Sequence, residues 1–322
     1  MIYCMCQEMF SMIKIDLITG FLGSGKTTFI KKYADWLIEH GIRVGILEND
    51  FGAVNVDMML LQDIQSDRCA IETVAGACDA DCHRRRFKTK LIAMGMSGYD
   101  RVIVEPSGIF DTDEFFDVLR EDPLDRWYEI GCVLTVADAC LDTELSAQSE
   151  YILASQLANA GKVIISKSDI ATEEQVEKTV AYLRSVCERY CGRILGDDVM
   201  RTGIDELTDE QIEAVSECGY KKVDFTKRLT GANDYVSLYY MNNSISKDTL
   251  WQNAKDMFSD EKCGRVYRVK GFIRDEGTWY EFNADRNNIS LSSVENGQDI
   301  IIVIGEELNK ACVDRYFCSS LS

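Results

Sequence analysis

The segment that most restricts what this chain can become is Gly20-Phe-Leu-Gly-Ser-Gly-Lys-Thr27, set between the apolar run "IKIDLI" and the helix-like "KTTFIKKYADWLIEHG". It matches G-x-x-x-x-G-K-T, in which small residues let successive backbone N–H groups converge on an anion. The following helix adds the positive end of its dipole, Lys26 bridges outer phosphates, and the Thr27 hydroxyl is a ligand for Mg²⁺. Strand before and helix after are the context such a loop requires. Gly20, Gly23, Ser24, Gly25, Lys26, Thr27 and Thr28 therefore read as a cradle for the β and γ phosphates of a nucleotide.

A phosphate cradle of this kind needs a sheet to sit on, and the chain supplies one. The runs "IKIDLI", "RVGILEND", "RVIVEPSG", "GCVLTVADA" and "KVIIS" alternate with helical patterns, which predicts right-handed crossover units. The expectation is an α/β fold, a doubly wound and mostly parallel sheet over residues 13–222. Gly41 suits a helix C-cap, and Thr172 followed by two glutamates suits a helix start. A polar stretch at 223–233 reads as a linker. Beyond it "YVSLYYM", "RVYRVKGFIR", "TWYEFNA", "NISLSSV" and "DIIIVIG" read as strands, with "KDTLWQNAKDMF" and "ELNKACVDRYF" as helices. That predicts a smaller α+β domain over 234–322, antiparallel with its helices on one face. Residues 1–12 read as a leader with Met5, Met9 and Met12 as alternative starts and Cys4 and Cys6 as an unpatterned pair.

Charge narrows the partners. With 54 acidic against 35 basic residues the net charge is −19, so the surface repels nucleic acid and anionic lipid. The basic stretch from His83 to Lys90, "HRRRFKTK", reads as a solvated face or partner contact. No apolar run reaches the length of a membrane span. The 13 cysteines are scattered, and with no secretion signal at the start they read as thiols in a reducing cytoplasm.

A bound triphosphate also needs a γ-phosphate sensor and a metal anchor, and these belong at the carboxyl ends of neighbouring strands. In "VIVEPSG", Glu105 can hold the Mg²⁺ shell through water and the Gly108 amide can report the γ phosphate. After "KVIIS", Asp169 can accept from the ring N–H and exocyclic amine of guanine, a donor pair that adenine lacks, while the Lys167 stem lies along the ring. Ser166 stands where guanine readers usually have asparagine, which weakens the step from nucleotide to GTP.

Taken together, "TGFLGSGKTT", "ILENDFGAVNVD", "VIVEPSGI", "SKSD" and the late "RVYRVKGFIR…DIIIVIG" resemble the CobW-type GTPases, relatives of the hydrogenase and urease nickel-insertion GTPases, from Lys14 to Phe317. The resemblance implies a GTP-hydrolysing metallochaperone or metal-insertase, with GTP or GDP and Mg²⁺ as ligands. It makes Glu48 to Gly52 the switch segment, Glu105 and Gly108 the E-x-x-G, and Lys167 with Asp169 the N-K-x-D. Asp50 replaces a glutamate of the family pattern, and Ala53 stands where a glutamate often follows.

The largest departure concerns metal. Relatives carry G-C-x-C-C, whereas this chain has "AGACDADCHRRR", with Ala77, Asp79 and Ala80 at the cysteine positions when aligned on Gly76. Cys78, Cys82 and His83 nonetheless form a local set suited to Zn²⁺ or Co²⁺, with Glu48, Asp79 or Asp81 to complete it. On a helix Cys78 and Cys82 share a face and His83 lies off it. The opposing reading is apolar cysteines at a helix entry, with His83 beside three arginines that repel a cation. His40 reads as a helix-end residue. Without a histidine-rich tract, metal storage is not expected.

Three functions follow. The first is a slow GTPase switch of metal homeostasis acting on a metalloenzyme or corrinoid-protein client, in which Arg84, Arg85 and Arg86 read as a surface cluster rather than a catalytic finger. The second is a nucleotide-dependent assembly or reactivation module with negligible catalysis. The third, kept open by the degenerate "SKSD", is an ATP-using kinase. Homo-oligomerisation stays open in all three.

Overall fold

The structure, a computed structural model, describes residues 12–49, 61–74, 80–108, 110, 112–223, 235–241, 245–295 and 297–317. Outside them lie the leader through residue 11, Asp50 to Gly52 of the expected switch segment with Ala53 after it, the segment with Gly76, Ala77, Cys78 and Asp79, and the expected linker from residue 224.

Seven strands form the larger sheet: β1 (Ile13–Thr19), β2 (Val44–Asn49), β3 (Cys69–Val74), β4 (Arg101–Pro106), β5 (Tyr128–Asp138), β6 (Lys162–Ser166) and β7 (Val199–Met200). Their order is β3-β2-β4-β1-β5-β6-β7, and every pairing is parallel. The strands β2 and β4 are buried at all their positions, as expected of parallel strands covered on both faces. The covering helices are α1 (Lys26–Glu39), α2 (Ala80–Gly95), α3 (Thr112–Leu119), α4 (Leu124–Trp127), α5 (Ala147–Ala158), α6 (Glu173–Cys191) and α7 (Asp209–Ser216).

On one face, Phe29, Ile30 and Tyr33 of α1 and Ile212 and Val215 of α7 pack on Ile18, Ile46 and Ile103. On the other, Phe87 and Leu91 of α2 and Phe115 of α3 pack on Leu17, Leu47 and Val104. The sheet is thus doubly wound. Its helix ends follow local chemistry. Thr172 and Gln175 form a reciprocal capping box at the start of α6, and the His40 ring nitrogen Nδ1 donates to the Trp36 carbonyl at 2.7 Å as α1 ends. One buried charge crosses the core: Asp16 accepts from the Tyr33 hydroxyl at 2.8 Å and the Cys132 amide at 2.9 Å, and Arg101 lies 3.4 Å away. Burial raises the Asp16 carboxyl above its ordinary range, against the pull of Arg101.

The C-terminal unit holds β8 (Tyr235–Met241), β9 (Arg265–Asp275), β10 (Thr278–Ala284), β11 (Ile289–Val294) and β12 (Ile300–Glu306), with α8 (Lys247–Ser259) and α9 (Lys310–Phe317). Its strands are ordered β11-β10-β9-β12-β8 and pair antiparallel throughout. Both helices lie on one face, where Leu250, Met257, Val313 and Phe317 meet Val269, Phe282, Ile301 and Val303. Here the expectation of thiols throughout is corrected. Cys263 and Cys312, buried on this helix side and 49 residues apart in sequence, are joined as a disulfide with Cα atoms 5.0 Å apart. Cys69, Cys132, Cys187 and Cys218 remain thiols.

The other face of this small sheet turns toward the parallel sheet. Its apolar residues Phe272, Ile300, Ile302 and Ile304 receive Leu22 of the phosphate loop. At the end of β12, Glu306 accepts from Ser146 and Ser149, both at 2.7 Å, and from the Tyr267 hydroxyl at 3.0 Å. Ser146 is the N-cap of α5, so a carboxylate of one unit sits at the positive end of a helix in the other. Replacing Glu306 by alanine would strand buried hydroxyls, and we expect a loss of about 1–3 kcal/mol in urea unfolding followed by tryptophan fluorescence. An unchanged midpoint would remove this carboxylate as a latch between the two sheets.

Candidate functional site

Strands β4 and β5 flank β1 on opposite sides, so the chain changes direction across the sheet at β1. The crevice outside the carboxyl ends of strands at such a point is where open α/β sheets bind ligands. A pocket of about 230 Å³ lies there, and its walls include Gly23, Ser24, Gly25, Lys26, Thr27 and Thr28.

The loop is built against the sheet without clearance. Gly20 has φ 151°, and a Cβ on it would fall 2.2 Å from the Val136 carbonyl oxygen of β5. Gly25, with φ 88°, occupies the left-handed region just ahead of α1. Lys26, almost fully buried, donates to the Gly20 carbonyl at 3.1 Å, closing the loop on itself. The Thr27 hydroxyl donates to Glu105 at 3.0 Å. Glu105 and Glu48 are direct register partners on β4 and β2, and both are buried on the pocket wall. A hydroxyl and two carboxylates at the mouth of a phosphate loop are hard oxygen donors, a set that fits Mg²⁺.

Gly108 lines the same pocket, so close to the loop that a Cβ there would stand 2.7 Å from the Leu22 nitrogen. Its carbonyl accepts from Gln156 of α5 at 3.0 Å. Gln156 could not be found from sequence, since a glutamine inside an apolar helix carries no motif.

At the far end of the pocket Lys167 lies between two carboxylates, 2.5 Å from Asp138 and 3.7 Å from Asp285 of the small sheet's β10–β11 turn. Asp169 is exposed and stands outside the pocket wall. Gly203 comes close to this segment, since a Cβ there would lie 3.2 Å from the Ser168 hydroxyl and 3.9 Å from the Asp169 amide. Ser166 donates its hydroxyl to the Ser24 carbonyl at 2.6 Å, tying the strand before Asp169 to the phosphate loop. Near Lys167, burial and then the Asp138 carboxylate hold the Cys140 thiol above its ordinary value, so it stays protonated at neutral pH.

Of the residues read as a transition-metal set, those described, Cys82, His83 and Glu48, form no common cluster. Cys82 opens onto a separate groove with Arg85, Arg86 and Lys90, whereas His83 is fully buried and faces Glu114 of α3 at 3.9 Å. Glu48 belongs instead to the pocket with Lys26 and Thr27. Successive residues on a helix point about 100° apart, which is why Cys82 and His83 diverge. Cys78 lies outside the described residues. Among those described, the one cluster of three such ligand atoms is Asp260, Cys263 and Cys312, where the two sulfurs are bonded to each other and Arg315 lies 3.5 Å from the carboxylate. Arg84 pairs with Glu121 at 2.6 Å, and none of Arg84 to Arg86 lines the nucleotide pocket. No helix among the described residues is long and apolar enough to cross a membrane.

The chain is similar to known proteins over much of its length. A family model described as "CobW/HypB/UreG, nucleotide-binding domain" matches residues 14–191. Zinc chaperone YjiA of Escherichia coli (strain K12) is 28% identical over 170 residues, 51% of this chain and 52% of the relative. Zinc chaperone YeiR of the same organism is 30% identical over 167 residues, 51% of this chain and 49% of the relative. The matches thus span about half the length of these two relatives. Zinc-regulated GTPase metalloprotein activator 1 of Schizosaccharomyces pombe is 22% identical over 349 residues, covering 92% of this chain and 83% of the relative. Among solved structures, the Zn(II)-bound YjiA GTPase from E. coli is similar over 95% of this chain and 98% of its own, at 16% identity and a TM-score of 0.38. With more than half of its length matched by the family model, and with a phosphate loop at the switch point of a parallel sheet, this chain belongs to the CobW/HypB/UreG family.

Proposed function

We propose that this protein is a GTP-binding and slowly GTP-hydrolysing switch that handles a transition metal, with zinc as the cargo, on behalf of a metalloenzyme or corrinoid-protein client. The observation that carries the reading is the shared pocket in which Lys26 and Thr27 meet Glu48, Glu105 and Gly108. Lys26 would shift from the Gly20 carbonyl to the outer phosphates. Thr27 and Glu105 would hold Mg²⁺, Glu105 through water, and Glu48 would stand beside it. Bound Mg²⁺ neutralises charge on the β and γ oxygens. In the reaction a water oxygen bonds to the γ phosphorus, the bond to the bridging oxygen breaks, and GDP and phosphate are released.

Base choice is assigned to Asp169, with Lys167 along the ring and Ser166 holding the strand to the loop through Ser24. An exposed carboxylate beside the pocket is compatible with a base that enters from solvent. The cargo assignment draws on the relatives named zinc chaperones. It places the metal on Cys78 and on Cys82 at the start of α2, and leaves His83 out because its ring is buried toward α3.

Two measurements test this. Nucleotide binding by calorimetry with Mg²⁺ present should favour GDP and GTP over ATP. Asp169→Ala should cost at least ~10-fold in guanine affinity through loss of two charge-assisted hydrogen bonds, and Lys26→Ala should abolish GTP binding. Equal affinity for ATP and GTP would overturn the guanine assignment. Separately, titration of reduced protein with Zn²⁺, with and without a GTP analogue, should give one nucleotide-sensitive site that Cys78→Ala with Cys82→Ala removes. Zinc binding that ignores this double substitution would move the cargo site elsewhere.

A further inference from the structure

The nucleotide pocket has two walls, and the second comes from the C-terminal sheet. Arg268 and Lys270 on β9, Glu281 and Asn283 on β10, Asp285 beyond it and Ser290 on β11 all line the cavity that contains Lys26 and Gly108. Arg268 and Lys270 are two residues apart on one strand, so both face the pocket at a spacing of about 7 Å. Between them Val269 points the other way, into the core under α8 and α9.

Lys270 is only 5% exposed. Its register partners are Ile302 on one side and Asn283 on the other, and the same face carries Phe272, Ile300 and Ile304. An apolar side chain would extend that cluster, whereas a buried ammonium must recover its lost hydration from anionic surroundings. Glu281 lines the same wall, and a polyphosphate would bring further negative charge to it. Arg268 is held by its Nε, which donates to Asn283 at 3.1 Å.

Charge on the first wall shows why a second is needed. Among the described pocket residues, the parallel-sheet unit contributes Lys26 and Lys167 as cations, and Lys167 already lies between Asp138 and Asp285. Lys26 is left to face Glu48, Glu105 and an incoming triphosphate together. Contact between the walls is direct: the Phe21 ring meets Tyr267 edge-on at 5.7 Å, and Leu22 packs into the apolar face of the small sheet.

We propose that Lys270, with Arg268 beside it, contacts the outer phosphates of the bound nucleotide, so that the C-terminal sheet is part of the GTP site and reads the γ phosphate. This rests on the nucleotide reading above. It makes β9 a sensor that shares one ligand with the phosphate loop. Loss of the γ phosphate removes what the second wall grips, while the nucleoside and α phosphate stay with the first.

The test uses the full-length chain with Mg²⁺, comparing affinity for GDP, affinity for a non-hydrolysable GTP analogue, and single-turnover GTP hydrolysis. For Lys270→Met we expect the analogue to bind at least ~10-fold more weakly, GDP to change by less than about 3-fold, and hydrolysis to slow by ~10²-fold, the scale seen when one charge-stabilising donor is removed. Lys270→Arg should restore most of the analogue's affinity. Should Lys270→Met fold poorly, Lys270→Gln keeps length and polarity and reads the same difference. Equal weakening of GDP and analogue would assign Lys270 a structural role, and no change in either would also overturn the proposal. If the wild-type chain binds no guanine nucleotide, or Lys26→Ala binds it normally, the nucleotide reading itself falls. If Lys26→Ala fails while the Lys270 variants behave as wild type, this inference alone falls.

Discussion

The structure depends on a glycine backbone lying in contact with a neighbouring strand. At Gly20 a single added carbon would collide with the Val136 carbonyl, so the phosphate loop has no freedom to retreat into the sheet. Its remaining freedom points outward, where Leu22 touches both Gly108 and the apolar face of the small sheet. A loop that is fixed below and contacted from two sides above transmits displacement rather than absorbing it, because packed side chains offer discrete arrangements instead of continuous deformation. Gln156, which holds the Gly108 carbonyl from α5, and Glu306, bonded at the start of that same helix, put the Gly108 segment and the C-terminal unit on opposite ends of one rigid element.

Electrostatics follow the same division. A chain of net charge −19 is a poor host for a tetra-anion unless cations are gathered locally. Lys26, Lys167, Arg268 and Lys270 share the wall with Glu48, Glu105, Glu281 and Asp285, so the pocket is near neutrality while its surroundings are acidic. On the proposed reading, such a balance favours a triphosphate that enters with its metal. It also makes the two halves of the chain depend on each other, since neither contributes the cations alone.

Much of the fold was legible because parallel strands buried on both faces leave continuous apolar runs, as in Val44–Asn49 and Arg101–Pro106. The aromatic alternation of Tyr235–Met241 and Thr278–Ala284 likewise marked strands of a half-covered sheet. The strand Cys69–Val74 was not read from sequence. It is an edge strand with Glu72 and Thr73 partly exposed, so its pattern is neither an apolar run nor a clean alternation. The disulfide between Cys263 and Cys312 was hidden for another reason: proximity across 49 residues is a product of tertiary packing. For the site, the phosphate loop and Glu105 were legible because their chemistry demands fixed spacing within one segment. Arg268, Lys270 and Gln156 were not, because each reaches the pocket from a distant element and serves a local pattern of its own: sheet alternation for the first two, a buried helix face for the third.

His83 shows how far a local cluster in sequence can mislead. Cys82, His83 and Arg84 are consecutive, yet on α2 they face a groove, the core and Glu121 in turn. A helix disperses neighbours around its axis, so a metal set drawn from it needs i and i+4 spacing, and of the described residues in this segment only Cys82 retains access. On the proposed reading the other ligands come from outside α2, and the preceding strand β3 lies at the sheet edge next to β2 and Glu48. On that reading β3, which precedes α2 in the chain, and β4, which carries Glu105, are separated by β2 alone, about 10 Å at the spacing of a sheet.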